Sequence, residues 1–131
     1  MPRVYWQTNS PDGVFSKYYG YDVSEVAVKV ARDQVSEHRA SYCIFEQCEM
    51  SLWKGGSGVS LILLEECLCY LSIPDTKKFL EVCKRSLIQG GTILVVDHSA
   101  EKHSASLRAC RTACRVVEEV VVGGRTYLTL S

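Results

Sequence analysis

Short apolar runs alternate along the chain with stretches whose apolar positions recur every three or four residues, which is the pattern of strands alternating with helices in an α/β domain. "YYGYDV", Tyr18 to Val23, reads as a strand. Ser24 then stands where an N-cap belongs, before a helix whose apolar stripe is Val26, Val30 and Val35; a serine oxygen there accepts the orphan N–H groups of the first turn. Tyr42 to Phe45 is a second short strand, and "KGGSG", Lys54 to Gly58, is a flexible loop. Val59 to Leu64 is continuously apolar, which predicts a central parallel strand covered on both faces. "IPDTKKFLEVCKRSLIQGG" reads as a helix with Asp75 at its N-cap, a stripe of Phe79, Cys83 and Leu87, and Gly90 as its left-handed stop. "TILVVD" is a further buried strand ending in Asp97, and a polar loop then leads to a helix over about Ala105 to Arg115. "VVEEVVVGGRTYLTLS" closes the chain as two strands joined by Gly123 and Gly124, a dipeptide suited to a tight hairpin.

At 131 residues the chain is one domain's worth, residues 1–131, with 1–17 as an atypical N-terminal segment. Fifteen basic and fifteen acidic residues leave a formal charge of zero, so the broad basic face of a nucleic-acid binder is not expected. No apolar run reaches the roughly 18 residues of a membrane helix, and "MPRVYWQTNS" lacks the apolar core of a signal peptide. A cytoplasmic protein that binds no membrane is the expectation. The seven cysteines, at 43, 48, 67, 69, 83, 110 and 114, are odd in number, form no C-x-x-C and lie mostly in apolar runs. They read as free thiols serving as small core residues in a reducing compartment. The alternative is a metal or redox site on Cys67 and Cys69, which would share one side of a strand, together with Cys110 and Cys114 on one helix face.

Ligands of open parallel sheets bind outside the carboxyl ends of the strands. Three predicted strands end in acids, at Asp22, Glu65–Glu66 and Asp97, and Glu49 follows a fourth. A carboxylate offers two acceptor oxygens at about the spacing of a vicinal diol, as a ribose presents. Taken singly, each acid also fits a solvated loop or a helix N-terminal charge.

Together these segments resemble class I S-adenosylmethionine-dependent methyltransferases from about residue 18 to 131. "YYGYDVSEVAVKVAR" is similar to their second strand with Gly-x-Asp-x-Ser and the helix after it, and "YCIFEQCEMSL" to the segment after their third strand. "LILLEECLCYL" followed by "FLEVCKRSLIQGGTILVVD" resembles their fourth strand, helix, Gly-Gly turn and fifth strand. The resemblance implies a Rossmann-like, mostly parallel sheet with helices on both faces and an antiparallel C-terminal hairpin, shortened here at the N-terminus. It makes Asp22 the acceptor for the ribose hydroxyls, Val23 a neighbour of the adenine, and Glu49 a partner of the adenine amino group. Glu66 is then expected near the methionine part of S-adenosylmethionine or the substrate, with Tyr70 behind it. Asp97 and His98 are expected on the substrate side, His98 as the catalytic residue that takes up a proton near neutrality, or else as an ordinary surface histidine. Methyl transfer asks mainly for in-line positioning and removal of a proton, and no metal or covalent nucleophile is required.

The departure lies at the start. The family's first strand ends in a Gly-x-Gly loop, whereas "TNSPDGVFSK" holds only Gly13. About ten residues separate a strand at Arg3 to Gln7 from the one at Tyr18, the bare minimum for a crossover helix. The chain is therefore read as a truncated part of a longer methyltransferase, as a shortened domain in which "VYWQ" fills the vacant central place, or as a different α/β domain. Because the family's first strand lies between the second and fourth, its loss splits the sheet unless the N-terminal segment or a second copy fills the gap. That predicts a homo-oligomer completing the sheet. The expected function is S-adenosylmethionine-dependent methyl transfer to a small-molecule acceptor, incomplete as this chain stands. The alternative is a non-catalytic interaction or oligomerisation module that keeps the fold without the cofactor.

Overall fold

The structure, a computed structural model, describes residues 3–9, 15–35 and 37–131, with side chains from Lys17 onward apart from His38. Gly13 lies outside the described residues. In chain order the elements are β1 (Arg3–Asn9), β2 (Phe15–Asp22), α1 (Glu25–Gln34), α2 (Glu37–Ala40), β3 (Cys43–Gln47), β4 (Val59–Glu65), α3 (Ile73–Ser86), β5 (Leu87–Asp97), α4 (Ser104–Ala113), β6 (Val116–Val122) and β7 (Arg125–Leu130). The strands form one sheet in the order β3-β2-β1-β4-β5-β7-β6. β2 with β3 and β4 with β5 are parallel, and β7 is antiparallel to both β5 and β6. Gly123 and Gly124 join β6 to β7 at φ 57° and 78°, the double positive φ that a two-residue hairpin demands. The α/β, Rossmann-like class with an antiparallel C-terminal hairpin is the observed one.

The centre of the sheet holds the main surprise. β1 lies between β2 and β4 and runs antiparallel to both, with Val4 opposite Tyr21 on one side and Leu64 on the other. The segment "VYWQ" thus occupies the central place, and of the two expected ways to fill the gap, the N-terminal segment or a second copy, it is the first that the structure has. The direction follows from chain length. A parallel neighbour needs a crossover of a dozen or more residues, whereas an antiparallel one needs only a turn. The short segment between β1 and β2 suits the second.

Ser24 caps α1, its Oγ accepting from the Ala27 N–H at 3.2 Å. The buried side of this helix is not the expected stripe. Val28 is buried, with Ala27, Ala31 and Val35 half-buried beside it, while Val26 and Val30 are 69% and 46% exposed. At about 100° per residue both lie roughly 160° from Val28, on the outer face. In α3 the cap is Ser72 rather than Asp75: Ser72 Oγ accepts from the Asp75 N–H at 3.2 Å, which puts Asp75 in the first turn. Thr76, Phe79, Leu80 and Cys83 form its buried face. The helix ends at Ser86, four residues before Gly90, and Leu87 is already extended and paired with Val59. Gly90, at φ 78°, serves instead the stretch that loops out before Thr92 pairs with Leu61.

The core joins Ile62 and Leu64 of β4, Ile93 of β5 and Leu128 and Leu130 of β7 to Leu80 and Cys83 of α3 and Leu107 and Cys110 of α4. Right-handed crossovers that step outward from the centre in opposite directions put α1 on the other face from α3. β4 is accordingly not covered equally. Ile62 and Leu64 are fully buried, but Leu61 and Leu63 are only half-buried; among the described residues no helix stands between β1 and β2 in the chain to lie over them. All seven cysteines are free thiols, and Cys67, Cys83, Cys110 and Cys114 are buried. Rather than sharing a strand, Cys67 precedes a 3₁₀ turn, Leu68–Tyr70, and Cys69 lies within it.

Candidate functional site

The parallel strands deliver their carboxyl ends to one edge of the sheet, and with them Asp22, the Gln47–Glu49 segment, Glu66 and Asp97. Asp22 is 7% exposed. Its Oδ1 accepts from the Ser24 N–H at 2.8 Å, and its carbonyl accepts from the Cys48 N–H at 3.0 Å. Gln47 Nε2 donates to the Val23 carbonyl at 3.0 Å, which fastens the ends of β2 and β3 together. Asp22 Oδ2 is buried and has no hydrogen-bond partner among the described residues. A buried acceptor left unpaired costs about 1–3 kcal/mol, so this atom is set for a donor from outside the chain.

Asp22 lines a solvent-open pocket of about 340 Å³ together with Tyr21, Val23, Cys48, Met50, Trp53 and Phe79. Trp53 is wedged between Tyr21 and Phe79, with ring centroids 6.4 and 5.8 Å away and tilted planes. Such a wall suits a flat heteroaromatic ring beside a diol-binding carboxylate. Burial, with Glu46 adding to it, pushes the Tyr21 phenol up, so it stays protonated. Asp22 and Val23 thus meet in the pocket, whereas Glu49 is exposed and its Oε1 accepts from the Ser51 hydroxyl at 3.0 Å, leaving Cys48 as the lining residue. The Tyr21, Met50, Trp53 and Phe79 wall was not anticipated. Its signal was the aromatic spacing around the strand ends, which reads equally well as core.

A second cluster lies at the ends of β4 and β5. Glu66 adopts φ 52°, in the left-handed region, and its N–H donates to the Val96 carbonyl at 3.0 Å. Its Oε1 accepts from the His98 N–H and lies against His98 Nδ1. Asp97, 4% exposed, accepts the Ser99 N–H on Oδ1 at 2.7 Å, and His103 Nδ1 lies 2.9 and 2.7 Å from its two oxygens. The structure brings Asp97, Glu66 and His98 together, and His103, at the start of α4, is the member that sequence reading missed. Tyr70 is 72% exposed on the 3₁₀ turn, rather than tucked behind Glu66. Among the described residues the group with metal-ligand geometry is Glu66, Asp97 and His103, without a cysteine.

The carboxyl end of β1 does not bring a Gly-x-Gly loop to this edge. Because β1 is reversed, Arg3, paired with Glu65, stands at the ligand edge, and Asn9 lies at the opposite one.

Comparison with known proteins bears on this edge. The sequence model of a family described as "Methyltransferase domain" matches residues 8–127. No curated protein sequence matches. Among solved structures, a protein from Pyrococcus horikoshii superposes with a TM-score of 0.69 at 12% identity, covering 88% of this chain and 70% of that one. A SAM-dependent methyltransferase from Leishmania major gives 0.70 at 14%, with 90% and 56% covered. The N-methyltransferase NodS of Bradyrhizobium japonicum, solved with S-adenosyl-L-homocysteine, gives 0.68 at 16%, with 84% and 63% covered. The chain thus spans between about half and two thirds of the length of most of these proteins, and at such identities the likeness is one of fold.

Proposed function

We propose, for a chain that belongs to the methyltransferase-domain family, that it binds S-adenosylmethionine by its adenosyl part and transfers the methyl group to a small-molecule acceptor. The observation that carries this reading is Asp22 Oδ2, a buried acceptor without a partner among the described residues, in an aromatic-walled pocket. Asp22 accepts from the ribose hydroxyls, Trp53 and Val23 flank the adenine, and Glu66 lies toward the methionine part. When bound, the cofactor supplies an activated methyl on a sulfonium, so the protein has to position the acceptor and take its proton. His98, exposed and held at Nδ1 by Glu66, is the proposed proton acceptor, with Asp97 and Tyr70 on the acceptor side.

Calorimetry with S-adenosylhomocysteine tests the reading. Binding is expected, and Asp22→Ala should weaken it by about 1–3 kcal/mol, the value of a charge-assisted hydrogen bond. No heat and no thermal shift at millimolar ligand, or an affinity unchanged by Asp22→Ala, would sink it.

The reversal of β1 favours a second reading, a binding module without transfer activity, because it removes the loop that would cradle the methionine part. Adenosine decides between them. If S-adenosylhomocysteine binds about tenfold or more tighter than adenosine, a difference of about 1.4 kcal/mol, the methionine part is recognised and the transferase reading holds. Equal affinities select the module.

A further inference from the structure

We propose that Glu66, Asp97 and His103 form a binding site for a divalent first-row metal ion, separate from the pocket at Asp22. The three side chains come from the end of β4, the end of β5 and the start of α4, and their ligand atoms all lie within 4.8 Å of one another. Two carboxylates and an imidazole are a donor set for Mn²⁺, Fe²⁺ or Zn²⁺; sites for Ca²⁺ and Mg²⁺ are built from oxygen.

The surroundings of the ligands resemble those of a metal site as well. The Ser99 N–H holds Asp97 Oδ1, and His98 holds Glu66 Oε1 through both its N–H and its ring. These bonds engage Asp97 Oδ1 and Glu66 Oε1 and not Glu66 Oε2, while the remaining oxygen, Asp97 Oδ2, faces His103 Nδ1, itself a ligand of the proposed site. Outer partners of this kind fix ligands in metal centres. Two carboxylates this close, one of them buried, repel each other unless a positive charge lies between them. His103 Nδ1 stands 2.7 Å from Asp97 Oδ2, the spacing of a shared proton. Bonds of about 2.1 Å set two ligands of one ion about 3 Å apart, so a few tenths of an ångström convert the pair from sharing a proton to sharing a metal. Three protein ligands leave open coordination positions at the sheet edge, where an oxygen of the acceptor can bind.

The plain competitor is a pair of acid–imidazole hydrogen bonds with no affinity for metal. The chelator-treated chain of residues 1–131, titrated with Mn²⁺ while free ion is followed by electron paramagnetic resonance, separates the two without any cofactor. Mn²⁺ is chosen because thiolates compete poorly for it. One equivalent is expected to bind and to raise the melting temperature by mass action. Glu66→Gln and His103→Gln should each weaken binding at least tenfold. No depletion of free Mn²⁺ at millimolar concentration overturns the site, as does equal binding by Glu66→Gln. Should His103→Gln fail to fold, the partly exposed Glu66 decides: a metal-induced melting shift in the wild type that persists in Glu66→Gln refutes the proposal. Binding lost on thiol alkylation but kept in Glu66→Gln refutes it equally.

Discussion

At Gly20 the reason for a single residue can be read directly. A Cβ built there would lie 2.5 and 2.7 Å from two ring carbons of Phe45, whose ring also stacks 5.8 Å from Tyr18. Gly20→Ala is therefore expected to lower stability by about 1–3 kcal/mol, as overpacking does, in urea unfolding monitored by circular dichroism. The position of Asp22 at the end of a strand was legible from sequence because the Ser24 cap two residues on marks where the helix starts. His103 was not, since only the turn after β5 folds it back onto Asp97. Val26 and Val30 misled because an apolar pair four residues apart marks a helix face without saying which one is covered. The thiols were legible as core residues: Cys67, Cys83 and Cys110 are buried, and burial pushes their ionisation up, that of Cys110 to about 12. At neutral pH an aromatic disulfide reagent should label the half-buried Cys43, Cys48 and Cys69 quickly and the buried thiols only at the rate of unfolding.

At the scale of elements, the strands and helices were readable because each carries its own period and cap, and the reading failed where an element's role depends on a neighbour. β4 looked covered on both faces because its run is unbroken, but coverage comes from helices, and among the described residues none stands between β1 and β2 in the chain. The direction of β1 was equally invisible, since strand periodicity is the same read either way. Its position makes a sharp test. β1 is paired on both sides, so a proline within it deletes a hydrogen bond of the ladder that no solvent can replace. Val4→Pro should cost about 3 kcal/mol or more, against a smaller loss for Val4→Ala, as measured by chemical denaturation.

For the whole molecule, the buried thiols set an alkaline limit. Their ionisation in the folded chain is raised above the unfolded value of about 8.5, so the stabilisation they give is complete below that pH and is lost as pH rises toward the folded values. In reducing buffer the melting temperature should hold level from about pH 6 to 8 and fall above about pH 9. Cys110→Ala should start lower, from the cavity it leaves, but decline less steeply. A level curve to pH 11 would contradict this account. The reversed strand reaches further, into how the molecule assembles. β1 meets β2 across a few residues of chain but meets β4 across more than half of the sequence before Leu64, and these pairings join the unit β3-β2-β1 to the unit β4-β5-β7-β6. Long-range pairings close late because their loop entropy is lost before their contacts form. The ladder between residues 3–7 and 61–65 is thus a seam, expected to zip last in refolding and to part first in native-state hydrogen exchange. A chain leaving the ribosome with its central strand already made must wait for β4 to emerge before its two halves can become one sheet.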